Sequence, residues 1–308
     1  MVRISAASAK SARRFVHGLA LIAATAVTAA TAPVHAQSWP TKQPIKLVAV
    51  FPPGGSVDQV ARILAQPLQA QLGQTVIVEN KGGASGSIGA AFVAQAPADG
   101  YTCAVVFDSH AVNPALIPSL PFDTKKDLAA VSLIGTAAMT IATPATSEYK
   151  SFADVATALK AGKPVSYGTI GNGSLGHLAM TLLGKQNGLN WQHVPYKGGG
   201  PMMQDAVGGH VPLVIGSVFV VKPHIDSGRV RALAVTTAKR SAELPNVPAL
   251  AEVGYGQFEA PAWWAVLAPA KTPPEIVARM NAEISKALQN PDTAKKLEAQ
   301  GISLIGAA

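Results

Sequence analysis

Short strand-like segments alternate with amphipathic helical segments along most of the chain, and this alternation restricts the possible folds more than any other feature. Residues 45–50 are mostly apolar and branched, as in a strand, and residues 56–72 carry apolar side chains at helical spacing. The same order recurs between residues 75 and 107 and again between residues 151 and 236. Strands that alternate with helices favour parallel sheets covered by helices on both faces. We therefore predict an α/β fold.

Three glycine-rich loops each lie between a predicted strand and a predicted helix, at residues 51–56, 82–87 and 171–174. In open α/β sheets a ligand binds beyond the carboxyl ends of the strands. The N-terminus of a helix there offers unpaired N–H groups and the positive end of the helix dipole. One such loop alone is also consistent with an ordinary structural turn. Together, the three loops predict a site for carboxylate or phosphate groups.

The third loop raises two other possibilities, a nucleotide site and a hydrolase site. Residues 171–176 fit the pattern G-x-G-x-x-G, but residues 191–197 lack the acidic side chain that a dinucleotide site requires. Ser174, His177 and Asp205 suggest a hydrolase, but Asn172 stands where the hydrolase elbow has glycine. A serine that caps a helix, with a histidine on the same turn, is the simpler interpretation. We predict no catalytic residue, no metal and no cofactor.

The first 36 residues have the layout of a secretory signal peptide. Four basic residues precede an apolar run over residues 15–30, and Val34 and Ala36 suit the −3 and −1 positions of a signal peptidase site. Cleavage before Gln37 and a periplasmic location follow. A membrane anchor is the alternative, but the apolar run is short and ends at Pro33.

Charge and cysteine content exclude several classes of protein. The formal net charge is +8; without the four basic residues of the signal, 21 Lys and Arg against 17 Asp and Glu leave +4. This small excess, without a dense basic run, argues against nucleic acid and is compatible with an anionic ligand. Cys103 is the only cysteine, so no internal disulfide is possible, and its place in a predicted strand favours a buried structural role.

At its glycine loops and neighbouring segments the chain resembles the Bug family, the solute-binding receptors of tripartite tricarboxylate transporters. The resemblance extends over nearly all of the chain after the signal. It is carried by ordered blocks at Phe51-Pro52-Pro53-Gly54-Gly55 with Asp58, Glu79 to Gly86, Ala98 to Thr102, His110 to Pro114, Tyr167-Gly168, Gly173-Ser174, His177-Leu178, Val194 to Gly198, Leu233 to Thr236 and Lys239-Arg240.

The resemblance implies a periplasmic binding protein of the Venus-flytrap type. Two α/β domains would be joined by a hinge of two crossover strands, with the ligand in the cleft between the domains. Domain 1 would comprise residues 37–140 and 258–308, and domain 2 residues 141–257. Family members usually continue beyond the residue where this chain ends, so we expect domain 1 to be less well covered.

The function implied by the resemblance is capture of a small carboxylate (an organic acid, amino acid or aromatic acid) without turnover. The receptor would act as a monomer and deliver the ligand to the membrane subunits of a tripartite tricarboxylate transporter. A ligand sensor of the same fold that feeds a two-component signalling system is an alternative that the sequence does not separate.

In the family the ligand carboxylate is held largely by backbone groups and bridging waters of the first and third loops. Asp108 departs from the family pattern, which has small neutral polar residues at this place beside the cleft. The candidate ligand-binding residues are Phe51, Pro53, Gly54, Gly55, Asp58, Ala84, Ser85, Asp108, Ser109, His110, Gly171, Ser174, His177 and Tyr196.

Overall fold

A computed structural model describes residues 39–256 and 259–306, which belong to one compact unit. The predicted signal peptide at residues 1–36 lies outside the described residues. Within the described residues, no helix combines the length and the apolar character needed to cross a membrane.

The strands form two sheets. The first has the order β11-β4-β10-β3-β1-β2 and the second the order β7-β6-β8-β5-β9. The strands are β1 (Ile45–Ala49), β2 (Val76–Asn80), β3 (Thr102–Phe107), β4 (Leu128–Ala137), β5 (Met139–Pro144), β6 (Ser166–Thr169), β7 (Gln192–Pro195), β8 (Leu213–Ser217), β9 (Val230–Val235), β10 (Ala262–Pro269) and β11 (Ser303–Leu304).

The helices follow the strands in the expected alternation, and the last two lie between β10 and β11. They are α1 (Ser56–Leu72), α2 (Ser87–Ala94), α3 (Ser109–Leu116), α4 (Phe152–Lys160), α5 (Leu175–Asn187), α6 (Gly199–Gly208), α7 (Val218–Asp226), α8 (Pro274–Gln289) and α9 (Pro291–Glu298). Two 3-10 turns span Ala84–Gly86 and Leu250–Val253. We call the first sheet with its helices the first lobe, and the second sheet with its helices the second lobe.

The α/β fold is as predicted, but each sheet is mixed and contains antiparallel strands beside the predicted parallel ones. In the first lobe β1 pairs in parallel with β2 and β3, whereas β10 runs antiparallel to β3 and β4. In the second lobe β5 runs antiparallel to β8 and β9. The chain enters the second sheet through the antiparallel strand β5, and it returns to the first sheet through the antiparallel strand β10. The strands of the second sheet lie between residues 139 and 235; the predicted domain boundaries stay a prediction.

The two crossings between the sheets lie side by side and are hydrogen-bonded to each other. The backbone N–H of Thr236, after β9, donates to the carbonyl of Met139 over 3.0 Å. The N–H of Ala260, before β10, donates to the carbonyl of Thr236 over 3.1 Å. Because these are the main-chain links between the lobes, they provide the place about which the lobes can rotate.

Helix α1 shows how local pattern and packing agree. Val57, Val60, Leu64 and Leu68 recur at spacings of three and four residues and are almost completely buried. The helix ends at Gly73, whose φ of 61° is the left-handed conformation that glycine adopts most easily. The buried stripe fixes α1 on the first sheet and points its N-terminus at the cleft.

Helix α3 was not predicted. Pro114 weakens the helical signal in the sequence, because proline lacks the N–H that a helix interior uses. In the structure Pro114 lies within the last turn of Ser109–Leu116, so only one helical hydrogen bond is lost.

Candidate functional site

A cavity of about 590 Å³ lies between the lobes at the carboxyl ends of the strands. Both lobes contribute to its wall, which is lined by Phe51, Gly83, Ala84, Ser85, Asn113, Leu116, Ile117, Ile170, Gly171, Asn172, Gly173, His177, Leu178, Pro195, Tyr196 and Lys197. A volume of this size suits a small organic ligand.

The loop after β2 reaches across the cleft from the first lobe. Ala84 and Ser85 have φ values of 46° and 52°, which are uncommon for residues with a side chain. The Ser109 hydroxyl and the Asn113 amide both donate to the Ser85 carbonyl, at 2.8 and 3.0 Å. The Ser85 hydroxyl donates in turn to the Asn172 carbonyl of the second lobe over 2.6 Å. The strained loop is therefore held from both sides, and the lobes are in contact across the cleft.

The loop from Gly171 to Ser174 forms the opposite wall. Gly171 and Gly173 have φ values of 140° and 73°, which favour glycine. Ser174 is fully buried, and its hydroxyl donates to the Gly171 carbonyl over 2.8 Å and accepts from the His177 N–H over 3.4 Å. The predicted N-capping role of Ser174 is therefore confirmed.

His177 and His193 are stacked beside the cavity, with ring centroids 4.0 Å apart. The Gly173 N–H donates to Nδ1 of His177 over 3.1 Å, so the neutral ring carries its proton on Nε2. Burial lowers the pKa of His177. Burial and the neighbouring His177 lower the pKa of His193 to about 4. Both rings are therefore neutral near pH 7, and His177 offers an N–H donor.

Tyr196 and Lys197 complete the second-lobe side. The Tyr196 hydroxyl donates to Asp205 over 2.8 Å, and burial together with this carboxylate raises the pKa of Tyr196 to about 12. Lys197 is exposed, and within the described residues its ammonium group forms no ion pair. It leaves a positive charge available at the cavity.

Deeper in the cleft, the N-termini of α1 and α6 face each other. A Cβ atom built on Gly55 would lie 3.6 Å from the backbone nitrogen of Gly199. The space beside them has a volume of about 20 Å³, enough for one water molecule. Within the described residues, we find no protein acceptor for the N–H groups of Ser56, Val57 and Gly199. Two positive helix ends that meet without a protein acceptor favour an anionic group or a water bridge to one.

The structure brings only some of the predicted site residues to the main cavity. Those that line it are Phe51, Ala84, Ser85, Gly171, His177 and Tyr196. Gly55 lies at the smaller space between the two helix ends. Pro53 and Gly54 line a separate groove with Gln59 and Arg229. The contact of any of these residues with a ligand stays a prediction.

Asp58 lies away from the cavity, where its buried carboxylate ties α1 to the first loop. It accepts from the Gly54 N–H over 3.0 Å, from Arg62 over 2.9 Å and from Asn80 over 2.9 Å. Burial raises the pKa of Asp58, but the hydrogen bonds from Arg62, Gly54 and Asn80 outweigh it and hold that pKa below its usual value. All of the carboxylate's observed partners belong to the first lobe.

Three further predicted residues follow β3, and none lines the main cavity. The Ser109 hydroxyl donates its hydrogen bond to the Ser85 carbonyl. The His110 ring stacks on Phe122, at the edge of a separate surface groove, and burial lowers its pKa. Asp108 is buried, and its side chain forms no capping hydrogen bond with α3.

The loop Gly198-Gly199-Gly200 and the apolar wall of the cavity were not predicted from the sequence. Three consecutive glycines between a strand and a helix are the same signal that identified the other loops, and they lie here before α6. Leu116, at the end of α3, and the following Ile117 supply apolar surface to the cavity. Only the folded chain brings them to the cleft.

The hydrolase alternative finds no support in the hydrogen bonds. The Ser174 hydroxyl donates to Gly171, Nδ1 of His177 accepts from Gly173, and the Asp205 carboxylate accepts from Tyr196. The three side chains are thus joined to other groups and not to one another. Among the described residues, no cluster of three or more His, Cys, Asp or Glu side chains is placed to hold a metal ion.

Comparison with known proteins gives consistent matches over most of the chain. Residues 60–307 match the family described as "Tripartite tricarboxylate transporter family receptor". The protein BugT of Bordetella pertussis is 39% identical over 278 residues, which cover 89% of this chain and 85% of BugT. An R. palustris protein solved with adipate has a TM-score of 0.82 and 35% identity, covering 87% of this chain and 90% of that one. MatC from Rhodopseudomonas palustris, with bound malate, has a TM-score of 0.80 and 29% identity, covering 85% and 90%.

Proposed function

Because this chain belongs to the receptor family of tripartite tricarboxylate transporters, we propose that it captures a small carboxylate in the periplasm and passes it to the membrane subunits of such a transporter. Members of this family are binding receptors for transport. The fold agrees with this membership, since two α/β lobes with adjacent crossings enclose a cleft.

The observation that carries the proposal is the meeting of two helix N-termini in the cleft. Gly55, Ser56 and Val57 at the start of α1 and Gly199 at the start of α6 line a common space whose volume of about 20 Å³ accommodates a water. A ligand carboxylate, bound directly or through that water, supplies the negative charge that two positive helix ends favour. Because α1 belongs to the first lobe and α6 to the second, an anion there also favours closure.

The main cavity defines what the rest of the ligand can be. Leu116, Ile117, Ile170 and Leu178 supply an apolar wall. His177 offers an Nε2–H donor, and Lys197 offers a positive charge. These groups suit a ligand with an apolar body and a polar or anionic group at its far end.

The solved relatives support a carboxylate ligand. One was solved with adipate and another with malate, both dicarboxylates. For this chain we propose the class and not the compound, because backbone N–H groups recognise a carboxylate without specifying what is attached to it.

A thermal-shift screen of organic, amino and aromatic acids tests the proposed ligand class. At a hundredfold excess over the dissociation constant, a ligand that binds only the folded protein stabilises it by about 2.7 kcal/mol. We expect at least one carboxylate to raise the unfolding temperature, and the matched amide or alcohol to have no effect. A response to sugars or metal ions, with none to carboxylates, would contradict the proposal.

Two further measurements concern the export of the protein and the partner to which it delivers its ligand. We expect the exported protein to begin at Gln37, which its intact mass determines; a mature chain that retains residues 1–36 would overturn the predicted cleavage. Co-purification with the transporter's membrane subunits distinguishes delivery from sensing, since a sensor of the same fold would instead be recovered with a kinase.

A further inference from the structure

Asp108 is an unusual residue at the contact between the lobes. Its side chain is buried, with the residue 4% exposed, and neither carboxylate oxygen has a hydrogen-bond partner of adequate geometry among the described residues. It precedes α3 in helical backbone conformation and does not cap that helix. No described contact within the first lobe explains why a carboxyl group is buried there.

Residues of the second lobe help to bury the Asp108 side chain. The donors that face it are the backbone N–H groups of Leu175 and Ser109. Leu175 is the first residue of α5, so the carboxyl group lies at the N-terminus of a second-lobe helix. Leu116, at the end of α3, also abuts the second lobe, because a Cβ on Gly173 would lie 2.5 Å from its Cδ1.

Burial is costly for an ionised carboxylate that has no charged partner. It raises the pKa of Asp108 well above the usual range, and the N–H groups of Leu175 and Ser109 only partly oppose this. No charged side chain contributes to the shift. The titratable side chains on the two helices that meet at Asp108 are His110, two residues farther along the chain on α3, and His177 on α5, with His193 stacked on it. Lys197 lies farther along the cavity wall.

We propose that Asp108 makes closure of the cleft depend on uptake of a proton: its carboxyl group enters the lobe contact protonated and releases the proton when the lobes separate. In the open form water replaces Leu175 as the neighbour of the carboxyl group, and the ionised form is again favoured. The proposal rests on the proposed function only in so far as ligand binding drives the same closure.

The sign of the pH dependence follows from linkage. The pKa of Asp108 is higher in the closed form than in the open form, so the closed form is most favoured below the open-form pKa, near the usual value of about 3.9. The closed-to-open ratio then falls as pH rises towards the closed-form pKa, by up to about tenfold per pH unit for one proton. His177 acts in the opposite direction, because burial lowers its pKa.

The decisive experiment measures closure without ligand. Lys286→Cys on α8 and Lys160→Cys on α4 place one fluorescent label on each lobe; both lysines are exposed, and the free Cys103 is buried. Energy transfer between the labels reports the closed fraction from pH 5 to pH 8. We expect that fraction to fall with rising pH in the protein with native Asp108, and to be higher and not to fall with rising pH in Asp108→Asn. The exposed Asp292→Asn is the matched control and should behave as the native protein.

An equal pH dependence in Asp108→Asn would overturn the proposal. Asp108→Ser serves as a second neutral variant in case the amide does not fold. A calorimetric titration with adipate in two buffers of different ionisation enthalpy measures the number of protons taken up when the ligand binds. The native protein should take up a proton on binding, and Asp108→Asn should not. If no carboxylate binds the native protein, the proposed function fails while the ligand-free measurement still decides the role of Asp108.

Discussion

Gly200→Val is expected to weaken carboxylate binding by about 100-fold or more while the protein stays folded. A Cβ atom at Gly200 would lie 3.1 Å from the Pro53 carbonyl oxygen and 3.6 Å from the carbonyl carbon of Gly54, both backbone atoms of the opposite lobe. The methyl groups of valine need still more space there. Since a ligand that requires the closed form loses affinity in proportion to the closed fraction, preventing closure reduces the apparent affinity directly.

The measurement is a calorimetric titration with the best carboxylate of the screen, beside a urea unfolding curve. Gly208→Val, at the other end of the same helix, is the control, because a Cβ there meets only the ring of the exposed His210, which can move. We expect Gly208→Val to bind as the native protein does. Native affinity in Gly200→Val would show that the contact between α6 and the first loop is not needed for binding.

Trp264→Ala is expected to lower the free energy of unfolding by about 3–5 kcal/mol, the usual cost of removing a large buried aromatic side chain. Trp264 is fully buried on β10, and its ring packs on Phe107 and Phe219 with centroids 5.0 and 5.7 Å away. Phe107 ends β3 of the first lobe and Phe219 lies on α7 of the second. The cavity left by the ring would therefore weaken packing in both lobes.

Trp264 also donates from Nε1 to the Ser56 hydroxyl at the start of α1, over 3.3 Å. Trp264→Phe is thus the matched variant, because it keeps an aromatic ring and removes only that donor and part of the volume. In chemical denaturation, we expect Trp264→Phe to lower the free energy of unfolding clearly less than Trp264→Ala does. A loss below about 1 kcal/mol for Trp264→Ala, within the range of ordinary surface substitutions, would contradict this account of the core.

Much of the local structure could be predicted from the sequence alone. The bounds of α1 were predicted at residues 56–72, where the structure has them, and Cys103 was predicted to lie in a strand, which is β3. Ser174 was predicted to cap its helix, and its hydroxyl does accept the His177 N–H. These features depend on neighbours in the chain: periodicity records which side of an element is buried, and a cap needs only the next turn. The resemblance of ordered blocks likewise identified the family.

Which groups meet in the cleft was decided by the tertiary structure. Gly55 and Gly199 are distant in sequence, and only folding into two lobes brings their helices end to end. In the predicted loop at Gly171–Ser174, the Gly173 N–H donates to the His177 ring, and the His177 N–H donates to the Ser174 hydroxyl. The unpredicted loop Gly198–Gly200 instead faces α1, and the Gly199 N–H has no protein acceptor among the described residues. Asp108 was predicted from the sequence to contact the ligand, yet it lies outside the main cavity and is buried against Leu175 of the opposite lobe. The sequence determined the secondary-structure elements and the chemical groups that each loop carries. The contact between the lobes determined which of those groups remain available to a ligand. The reason is that the partners of each hydrogen-bond donor, and the residues that bury it, come from parts of the chain that no local sequence pattern connects.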